Sequence, residues 1–362
     1  MTAPALAPAV GRLRERALRL AELVATPLVP ADYVDLVDPL RSGGALRGRI
    51  VAVHPETRDA VSLVIRPGRG WQRHTPGQYV RLGVDVDGVR QWRAYSLTSP
   101  VDRSDGCIAV TVKAIPGGTV STYLVRRARP GLVVQLDQAA GDFVLPDPRP
   151  QKVLFVTAGS GITPIMGMLR NAVDELDDVV LVHSAPAAAD VVFAGELRAL
   201  AASGRIRLVE KHTDTDGMLT TDELAALVPD LAERQTWACG PAGMLDALDA
   251  HFSAVGVADR LHTERFRPAV LVTGEGGTVR FARTEVTVDA DGATPLLDAG
   301  EAAGVLMPSG CRMGICFGCV VPLRSGAVRD LRDGALTTAA EGDGVLVQTC
   351  VSAAAGACDI DL

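Results

Sequence analysis

The sequence has few of the features that a membrane-spanning, secreted or nucleic-acid-binding protein would need. Aromatic residues make up only 4% of its 362 residues, and no stretch approaches the roughly 20 consecutive apolar residues of a transmembrane helix. The first residues, MTAPALAPAVG, contain no basic segment ahead of an apolar run, as a secretory signal would. The formal net charge of -7 argues against a general nucleic-acid binder, which needs a basic face to displace counterions from phosphates. We therefore expect a cytoplasmic protein that binds no nucleic acid and has no transmembrane segment.

Cysteine is also sparse, but its distribution is uneven. Five of the seven cysteines fall in the last quarter of the chain, and four of these five have the spacing C-x4-C-x2-C followed by a distant fourth. Such short spacings suit a cytosolic metal site better than a secreted disulfide framework, and this one is typical of a plant-type [2Fe-2S] cluster. A structural zinc site is the alternative, although zinc ribbons usually have two separated C-x2-C pairs. The predicted ligands are Cys311, Cys316, Cys319 and Cys350. Cys107 and Cys358 lack such neighbours, and we expect them to take no part.

The remaining composition indicates a globular protein of two to three domains. Short alternating runs separated by Pro, Gly and Asp turns predict an antiparallel β-barrel at 46–148. Strands then alternate with helices at 149–268, which predicts a doubly wound parallel α/β domain. A Gly-containing linker at 269–277 leads to a small α+β domain at 278–362.

Residues 1–45 are predicted to form an N-terminal helical extension. The segment 10–25, VGRLRERALRLAELVA, has an apolar face and an arginine-rich face. This amphipathic helix could dock against the next domain or touch an anionic membrane surface.

One polar motif ends a predicted barrel strand and suits a flavin. Arg93 offers a charged fork to a pyrophosphate, Tyr95 an aromatic face and hydroxyl to the isoalloxazine, and Ser96 a donor near flavin N5. A Gly-Gly turn further on begins a helix, whose free N–H groups can hold phosphate. Each motif alone is weak, since a strand ending RxYS is also an ordinary surface sequence. The residues predicted to bind the flavin are Arg93, Ala94, Tyr95, Ser96, Thr111, Val112, Lys113, Gly117, Gly118, Val120, Ser121 and Thr122.

A second motif suits a nicotinamide dinucleotide. Small residues follow the strand VLFVTA at the turn into a helix, where a dinucleotide phosphate must approach the backbone. A glycine-rich turn of any α/β domain is the alternative, and for Cys239 the alternative is a buried structural cysteine. The segment WACGP resembles the CGP motif that faces the nicotinamide in the ferredoxin-NADP reductase superfamily, and this resemblance implies that Cys239 positions the nicotinamide rather than acting as a nucleophile. The residues predicted to bind the coenzyme are Gly159, Ser160, Gly161, Ile162, Thr163, Pro164, His183, Ser184, Cys239, Gly240, Pro241 and Phe266.

The three motif sets, in the order flavin, nicotinamide and iron-sulfur, cover residues 46–362. Together they resemble the ferredoxin-NADP reductase superfamily, in particular the reductase components of bacterial oxygenases and desaturases. The resemblance implies FAD rather than FMN, a [2Fe-2S] cluster in a β-grasp ferredoxin domain, and NADPH or NADH as the coenzyme. Family resemblance alone favours NADPH. Some NADPH-using relatives have a basic residue at the position of Pro186, so the residue present here adds no support for NADPH. The resemblance also implies that hydride transfer is supported by Ser96, Thr163, Cys239, Glu264 and Phe266.

The predicted partner is a protein electron acceptor, either an oxygenase or a desaturase. The segments TPLVPADYVDLVDPL and SGCRMGICFGC look most like ferredoxin reductases that serve membrane acyl-CoA desaturases, including stearoyl-CoA desaturase systems, so membrane contact could come through the partner. Rieske oxygenases, alkane hydroxylases and P450 enzymes are alternative acceptors. A self-sufficient flavin oxidoreductase and a redox-sensing binding protein are the other readings. Residues 277–362 hold eleven Asp or Glu against six Arg, a net of -5, which predicts docking on a basic face unless the acidic surface serves only solubility.

Overall fold

We describe the protein from a computed structural model that covers residues 38, 40–41, 45–86, 88–266, 272–310, 312–314 and 317–362. The predicted N-terminal helix at 10–25, part of the linker, and the predicted ligands Cys311 and Cys316 lie outside these described residues. Among the helices of the described part of the chain, none has the length and apolar character that crossing a membrane requires.

The first sheet is antiparallel and confirms the predicted barrel. Its strands run in the order β4-β3-β6-β1-β2-β5, and the bridge between Leu97 and Val110 links the segment after β4 to β5. Apolar side chains such as Leu63, Val80 and Val110 fill its interior, because alternate residues of a strand point to the same face. The elements are β1 (Arg47–Thr57), β2 (Ala60–Pro67), β3 (Tyr79–Val86), β4 (Val89–Ser96), β5 (Ile108–Lys113), α1 (Thr119–Arg127) and β6 (Val133–Leu136).

The second sheet is parallel, as predicted, with the order β11-β10-β7-β8-β9. Successive residues of its central strand alternate between two cores, with Phe155 in one and Leu154 and Val156 in the other. Both faces are therefore covered, which is why its strands read as continuous apolar runs. The elements are β7 (Lys152–Ala158), α2 (Ile162–Ala172), β8 (Asp178–Ala185), α3 (Ala194–Ala202), β9 (Arg207–His212), α4 (Thr213–Asp216), α5 (Thr221–Leu227), β10 (Gln235–Cys239), α6 (Ala242–Ala254) and β11 (Leu261–Glu264).

The third sheet is mixed, as expected of an α+β domain. Its order is β13-β12-β17-β14-β15, and β16 pairs with β14. Strands β12 and β17 are parallel, while their other neighbours are antiparallel. Leu296 and Leu297 of the helix share a core with Phe281. The elements are β12 (Gly277–Phe281), β13 (Val286–Ala290), α7 (Leu296–Ala302), β14 (Val320–Asp330), β15 (Leu336–Ala339), β16 (Leu346–Gln348) and β17 (Ser352–Ile360). The predicted domain boundaries stay predictions.

Candidate functional site

Neighbouring strands of the parallel sheet end in polar side chains at one edge. In the strand register, Cys239 of β10 lies between Thr157 of β7 and Glu264 of β11, and Thr157 lies beside His183 of β8. The carboxyl ends of parallel strands share an edge, and dinucleotide sites of α/β sheets lie there. One further strand, β11, follows β10 along the chain and pairs with it at the edge of the sheet. Strand β11 reads LHTE and has no apolar run that would mark it as a strand.

A tight turn, Gly159–Gly161, brings the start of α2 to this edge. Gly159 has a φ of 55°, in the left-handed region that favours glycine. A Cβ on Gly161 would lie 2.0 Å from the carbonyl oxygen of Cys239, so the turn contacts β10 directly. The Thr163 hydroxyl donates to the Ser160 carbonyl at 2.9 Å. The start of α2 has no side-chain cap, so its first N–H groups could bind a phosphate, and Ile162 and Pro164 are buried.

Cys239 and Glu264 are neighbours in the strand register, and their surroundings favour the neutral form of each. Burial raises the pKa of the Cys239 thiol well above its ordinary value, and the Glu264 carboxylate raises it further. Burial likewise raises the pKa of Glu264 to about 8, with a smaller contribution from Asp142. The Oε2 atom of Glu264 is buried and has no hydrogen-bond partner among the described residues. A protonated carboxyl at this position can donate a hydrogen bond to a bound group, whereas the un-ionised thiol is a poor nucleophile.

The strand that carries the flavin motif ends at a buried hydroxyl. Ser96 is 3% exposed, and its Oγ atom has no hydrogen-bond partner within the described part of the chain. Burial raises the pKa of Tyr95 above its usual range. The Arg93 guanidinium donates to the Trp92 carbonyl at 2.8 Å. Because buried polar groups are normally paired, the unpaired Ser96 hydroxyl fits a site that a bound flavin would complete.

The end of the flavin strand is held against the nicotinamide domain by α2. A Cβ on Gly167 would lie 2.3 Å from the Leu97 carbonyl oxygen. The Arg170 guanidinium donates to the Thr98 carbonyl at 2.7 Å, and the Asn171 side chain accepts from the Val101 N–H at 2.8 Å. Sequence reasoning missed Arg170 and Asn171, since nothing in a helical pattern marks which polar residues bind a neighbouring domain.

The predicted phosphate turn before α1 has the backbone that its glycines allow. Gly117 has a φ of 71°, and a Cβ on Gly118 would lie 2.5 Å from both Ile115 and Ser121. The Ser121 hydroxyl accepts from the Ile115 N–H at 3.3 Å. Val120 is buried and Thr122 is exposed.

The three predicted residues of β5 are committed to contacts within the barrel domain. Thr111 shares a 2.7 Å hydrogen bond with Ser62, and the Lys113 ammonium pairs with Asp59 at 2.8 Å. Val112 is fully buried. Because these side chains stabilise the strand, a cofactor would have to bind the backbone N–H and C=O groups of β5.

The end of β8, where His183 and Ser184 are predicted to bind the coenzyme, contains a buried histidine whose neutral form is favoured. His183 is fully buried, and its Nδ1 atom lies 2.8 Å from the Thr157 hydroxyl. Burial lowers the pKa of His183 to about 4. The Nε2 atom of His183 and the Ser184 hydroxyl have no hydrogen-bond partner among the residues described. Two unsatisfied polar groups at this edge fit a polar ligand such as a ribose.

Of the other predicted coenzyme residues, Gly240 and Pro241 follow Cys239 directly, and Pro241 precedes the first residue of α6. A Cβ on Gly240 would lie 2.5 Å from the Met244 side chain and 3.3 Å from the Ala158 Cβ. Phe266 is 39% exposed, just beyond β11. At this edge of the sheet the Gly240 backbone packs closely against Ala158 and Met244, and the ring of Phe266 is accessible to a ligand.

Two of the four predicted cluster ligands can be placed. Cys319 and Cys350 are 1% and 4% exposed, and Thr349 joins their segments because its hydroxyl donates to the Cys319 carbonyl at 3.0 Å. Cys107 and Cys358 are buried elsewhere, and burial raises the pKa of Cys358 to about 11. Buried thiols at the ends of two joined segments fit the donor chemistry of an iron-sulfur site.

Charged side chains of the cluster domain lie near Arg93 of the flavin strand. Burial lowers the pKa of Arg93, Arg312 of the cluster loop lowers it further, and Glu301 opposes that effect. Arg312 pairs with Asp298 at 3.1 Å and with Glu301, both on α7. The helix α7 therefore lies within electrostatic reach of the flavin motif.

Comparison with known proteins identifies the same three units. Residues 71–145 match the family model of an oxidoreductase FAD-binding domain, 155–250 that of an oxidoreductase NAD-binding domain, and 279–355 that of a 2Fe-2S iron-sulfur cluster binding domain. The chain is 51% identical over 351 residues to an NADPH oxidoreductase of Mycobacterium tuberculosis, covering 95% of this chain and 91% of the relative. It is 33% identical over 318 residues to the ferredoxin reductase component of 3-ketosteroid-9-alpha-monooxygenase from Mycolicibacterium smegmatis, covering 80% and 89%. The solved structure of phthalate dioxygenase reductase matches with a TM-score of 0.60 at 23% identity, over 88% of this chain and 98% of that one.

Proposed function

Because this chain belongs to the ferredoxin-NADP reductase superfamily, as a reductase with a C-terminal [2Fe-2S] domain, we propose that it reduces an oxygen-activating partner protein. It is an NAD(P)H oxidoreductase that uses FAD and a [2Fe-2S] cluster. The observation that carries the proposal is the similarity of this chain to reductase components of oxygenase systems. Two of these relatives are named as the reductases of a 3-ketosteroid-9-alpha-monooxygenase and of a glycine betaine monooxygenase.

FAD, when bound, would supply a hydride acceptor for the nicotinamide, and the [2Fe-2S] cluster would supply one-electron transfer to the partner. We propose that the Ser96 hydroxyl and the protonated Glu264 carboxyl supply the hydrogen bonds that orient the reacting rings. Both groups are buried and lack a partner among the described residues, so a bound flavin or nicotinamide would satisfy them. The Cys239 thiol, held un-ionised by burial, would pack against the nicotinamide without attacking it. Most of the rate would come from holding the two rings in the reactive geometry.

For the acceptor we propose a membrane fatty acyl-CoA desaturase, on the resemblance of the segments TPLVPADYVDLVDPL and SGCRMGICFGC to reductases of such enzymes. The test reconstitutes the holoenzyme with a membrane di-iron desaturase in vesicles and, separately, with a Rieske oxygenase and a P450. Coupled turnover with the desaturase alone supports this acceptor. Turnover with another oxygenase and none with the desaturase would overturn it while keeping the general proposal.

The general proposal has its own test, which uses two buried cysteines of one domain. Cys350→Ser should abolish reduction of the protein acceptor and retain NADPH-dependent reduction of ferricyanide, because electrons then leave from the flavin. Cys358→Ser is the matched control, since Cys358 is also buried but lies outside the predicted ligand set, and it should keep both activities. Acceptor reduction that survives Cys350→Ser would favour a self-sufficient flavin enzyme instead.

We propose NADPH as the physiological coenzyme. The support is the 51% identity to a relative named for NADPH, whereas Pro186 supplies no charge for a 2′-phosphate. Stopped-flow reduction of the flavin with each coenzyme decides between them. A larger second-order rate constant for flavin reduction by NADH than by NADPH would refute this choice.

A further inference from the structure

One backbone carbonyl in the cluster loop is held by two side chains from outside the loop. Gly314 lies between the predicted ligands Cys311 and Cys316. Its carbonyl accepts from the Arg332 guanidinium at 3.1 Å and from the Gln348 amide at 3.0 Å. Arg332 and Gln348 come from the segments after β14 and at the end of β16, so the loop is fixed to the sheet at this point.

The position of Gly314 is closed to any larger residue. Its φ is 75°, in the region that favours glycine. A Cβ there would lie 2.7 Å from the Arg332 Nη1 atom and 2.7 Å from Val351. The turn of the cluster loop and the guanidinium are therefore packed directly against each other.

Arg332 is itself held in a fixed orientation. Its Nε and Nη2 atoms donate to the two carboxylate oxygens of Asp330 at 3.0 and 2.7 Å, and Nη2 also donates to the Gln348 amide oxygen at 3.3 Å. A bidentate arginine–carboxylate pair is both strong and geometrically specific. Gln348 stands two residues before the predicted ligand Cys350, so the guanidinium lies against the segment that carries this ligand.

We propose that Arg332 is a positioning residue of the iron-sulfur site, which fixes the Gly314 turn and places a positive charge beside the cluster. A nearby cation stabilises the reduced, more negative cluster and so raises its reduction potential. Fixing the turn should also slow the loss of iron. The inference depends on the cluster and not on the identity of the acceptor, so a wrong acceptor would leave it intact.

The experiment compares three variants of the holoenzyme by an EPR-monitored redox titration and by iron release to a chelator. Arg332→Gln removes the charge and should make the potential more negative, by about tenfold in the equilibrium constant, which is 59 mV for one electron. Asp330→Asn keeps the arginine but removes its negative partner, so its potential should move in the positive direction. Both variants should lose iron faster, by roughly 10- to 100-fold, as when other outer-shell partners of a metal site are removed.

The matched control is Arg324→Gln. Arg324 lies on β14 and pairs with Glu341 at 2.9 Å on the surface, so the variant makes the same charge change without touching the cluster loop. Its potential and iron release should equal those of the wild type. Shifts of the same sign in Arg332→Gln and Asp330→Asn would show a merely structural role and overturn the proposal. Should Arg332→Gln fail to take up iron, Asp330→Asn decides alone, and a negative or absent shift there refutes the inference.

Discussion

Replacing Glu264 by glutamine should change how the stability of the protein depends on pH. Burial raises the pKa of Glu264 from its ordinary value of 4.5 to about 8. The unfolded chain therefore loses this proton at a lower pH than the folded protein does. The stabilisation is fully present below pH 4.5 and is lost as the pH rises to about 8. Glutamine has the shape of the protonated acid but does not titrate, so the variant should lack this loss.

The size of the effect follows from the shift. Each pKa unit corresponds to about 1.36 kcal/mol, so a shift from 4.5 to about 8 gives at most about 5 kcal/mol. At roughly 2 to 4 °C per kcal/mol, the difference in Tm between variant and wild type should grow by on the order of 10 °C between pH 5 and pH 8. It should then level off, because the folded carboxyl is ionised above that pH.

Thermal unfolding of the holoenzyme across pH 5 to 9 measures this difference, and Glu210→Gln is the matched control. Glu210 lies on β9 of the same sheet, and its hydrogen bonds from Arg198 lower its pKa. Its ionised form is therefore stabilising, and Glu210→Gln should lower Tm by a constant amount over the same range. Parallel curves of Tm against pH for Glu264→Gln and the wild type would refute the assignment of a raised pKa to Glu264.

Three further predictions concern the reaction itself. Gly161→Ala should raise the KM for the coenzyme at least several-fold, because the new Cβ would lie 2.0 Å from the Cys239 carbonyl oxygen. The control Gly195→Ala, whose Cβ would have nothing within 4 Å, should leave that KM unchanged. Equal KM values for the two variants would contradict this prediction. Ser96→Ala should slow flavin reduction in stopped flow by roughly 2- to 10-fold, as expected for one lost neutral hydrogen bond of about 0.5–1.5 kcal/mol, and an unchanged rate would remove Ser96 from the site. Reduction of the protein acceptor should slow as salt rises from low to high ionic strength, because the cluster domain carries a net of -5; a rate that salt does not change would leave the acidic surface to solubility.

Strands with strong hydrophobic periodicity could be predicted from the sequence. A strand that forms only because its neighbours pair with it, against the low β-propensity of its residues, could not. The runs that became β2 and β7 are rich in Val, Ile and Leu, so their period and length identified them. Strand β17 reads SAAAGACDI, and the sequence did not predict it. Alanine and glycine are depleted in strands, and this segment is extended because it pairs with β12 and β14 in the centre of its sheet.

The residues of the candidate site also fall into those that the sequence identified and those that it did not. Ser96, Cys239 and Glu264 were found because short motifs mark them, and the register then brings Cys239 and Glu264 side by side. Arg332 was not found, because an arginine beside an aspartate in the segment RDLRDG reads as an ordinary surface pair. Its contact with Gly314 spans 18 positions of the chain, and no local pattern encodes a tertiary hydrogen bond of that kind.

A single helix, α2, sets the geometry between the flavin and nicotinamide motifs. Its start contacts the Cys239 carbonyl through Gly161, and Gly167, nearly two turns on, contacts the Leu97 carbonyl next to Ser96. Both contacts are possible only because these positions carry no side chain. The distance between the ends of β4 and β10 is therefore fixed by a rigid element and two backbone contacts rather than by mobile side chains. Since hydride transfer depends steeply on the approach of the two rings, enlarging Gly167 should disturb the reaction without altering any group that touches a cofactor.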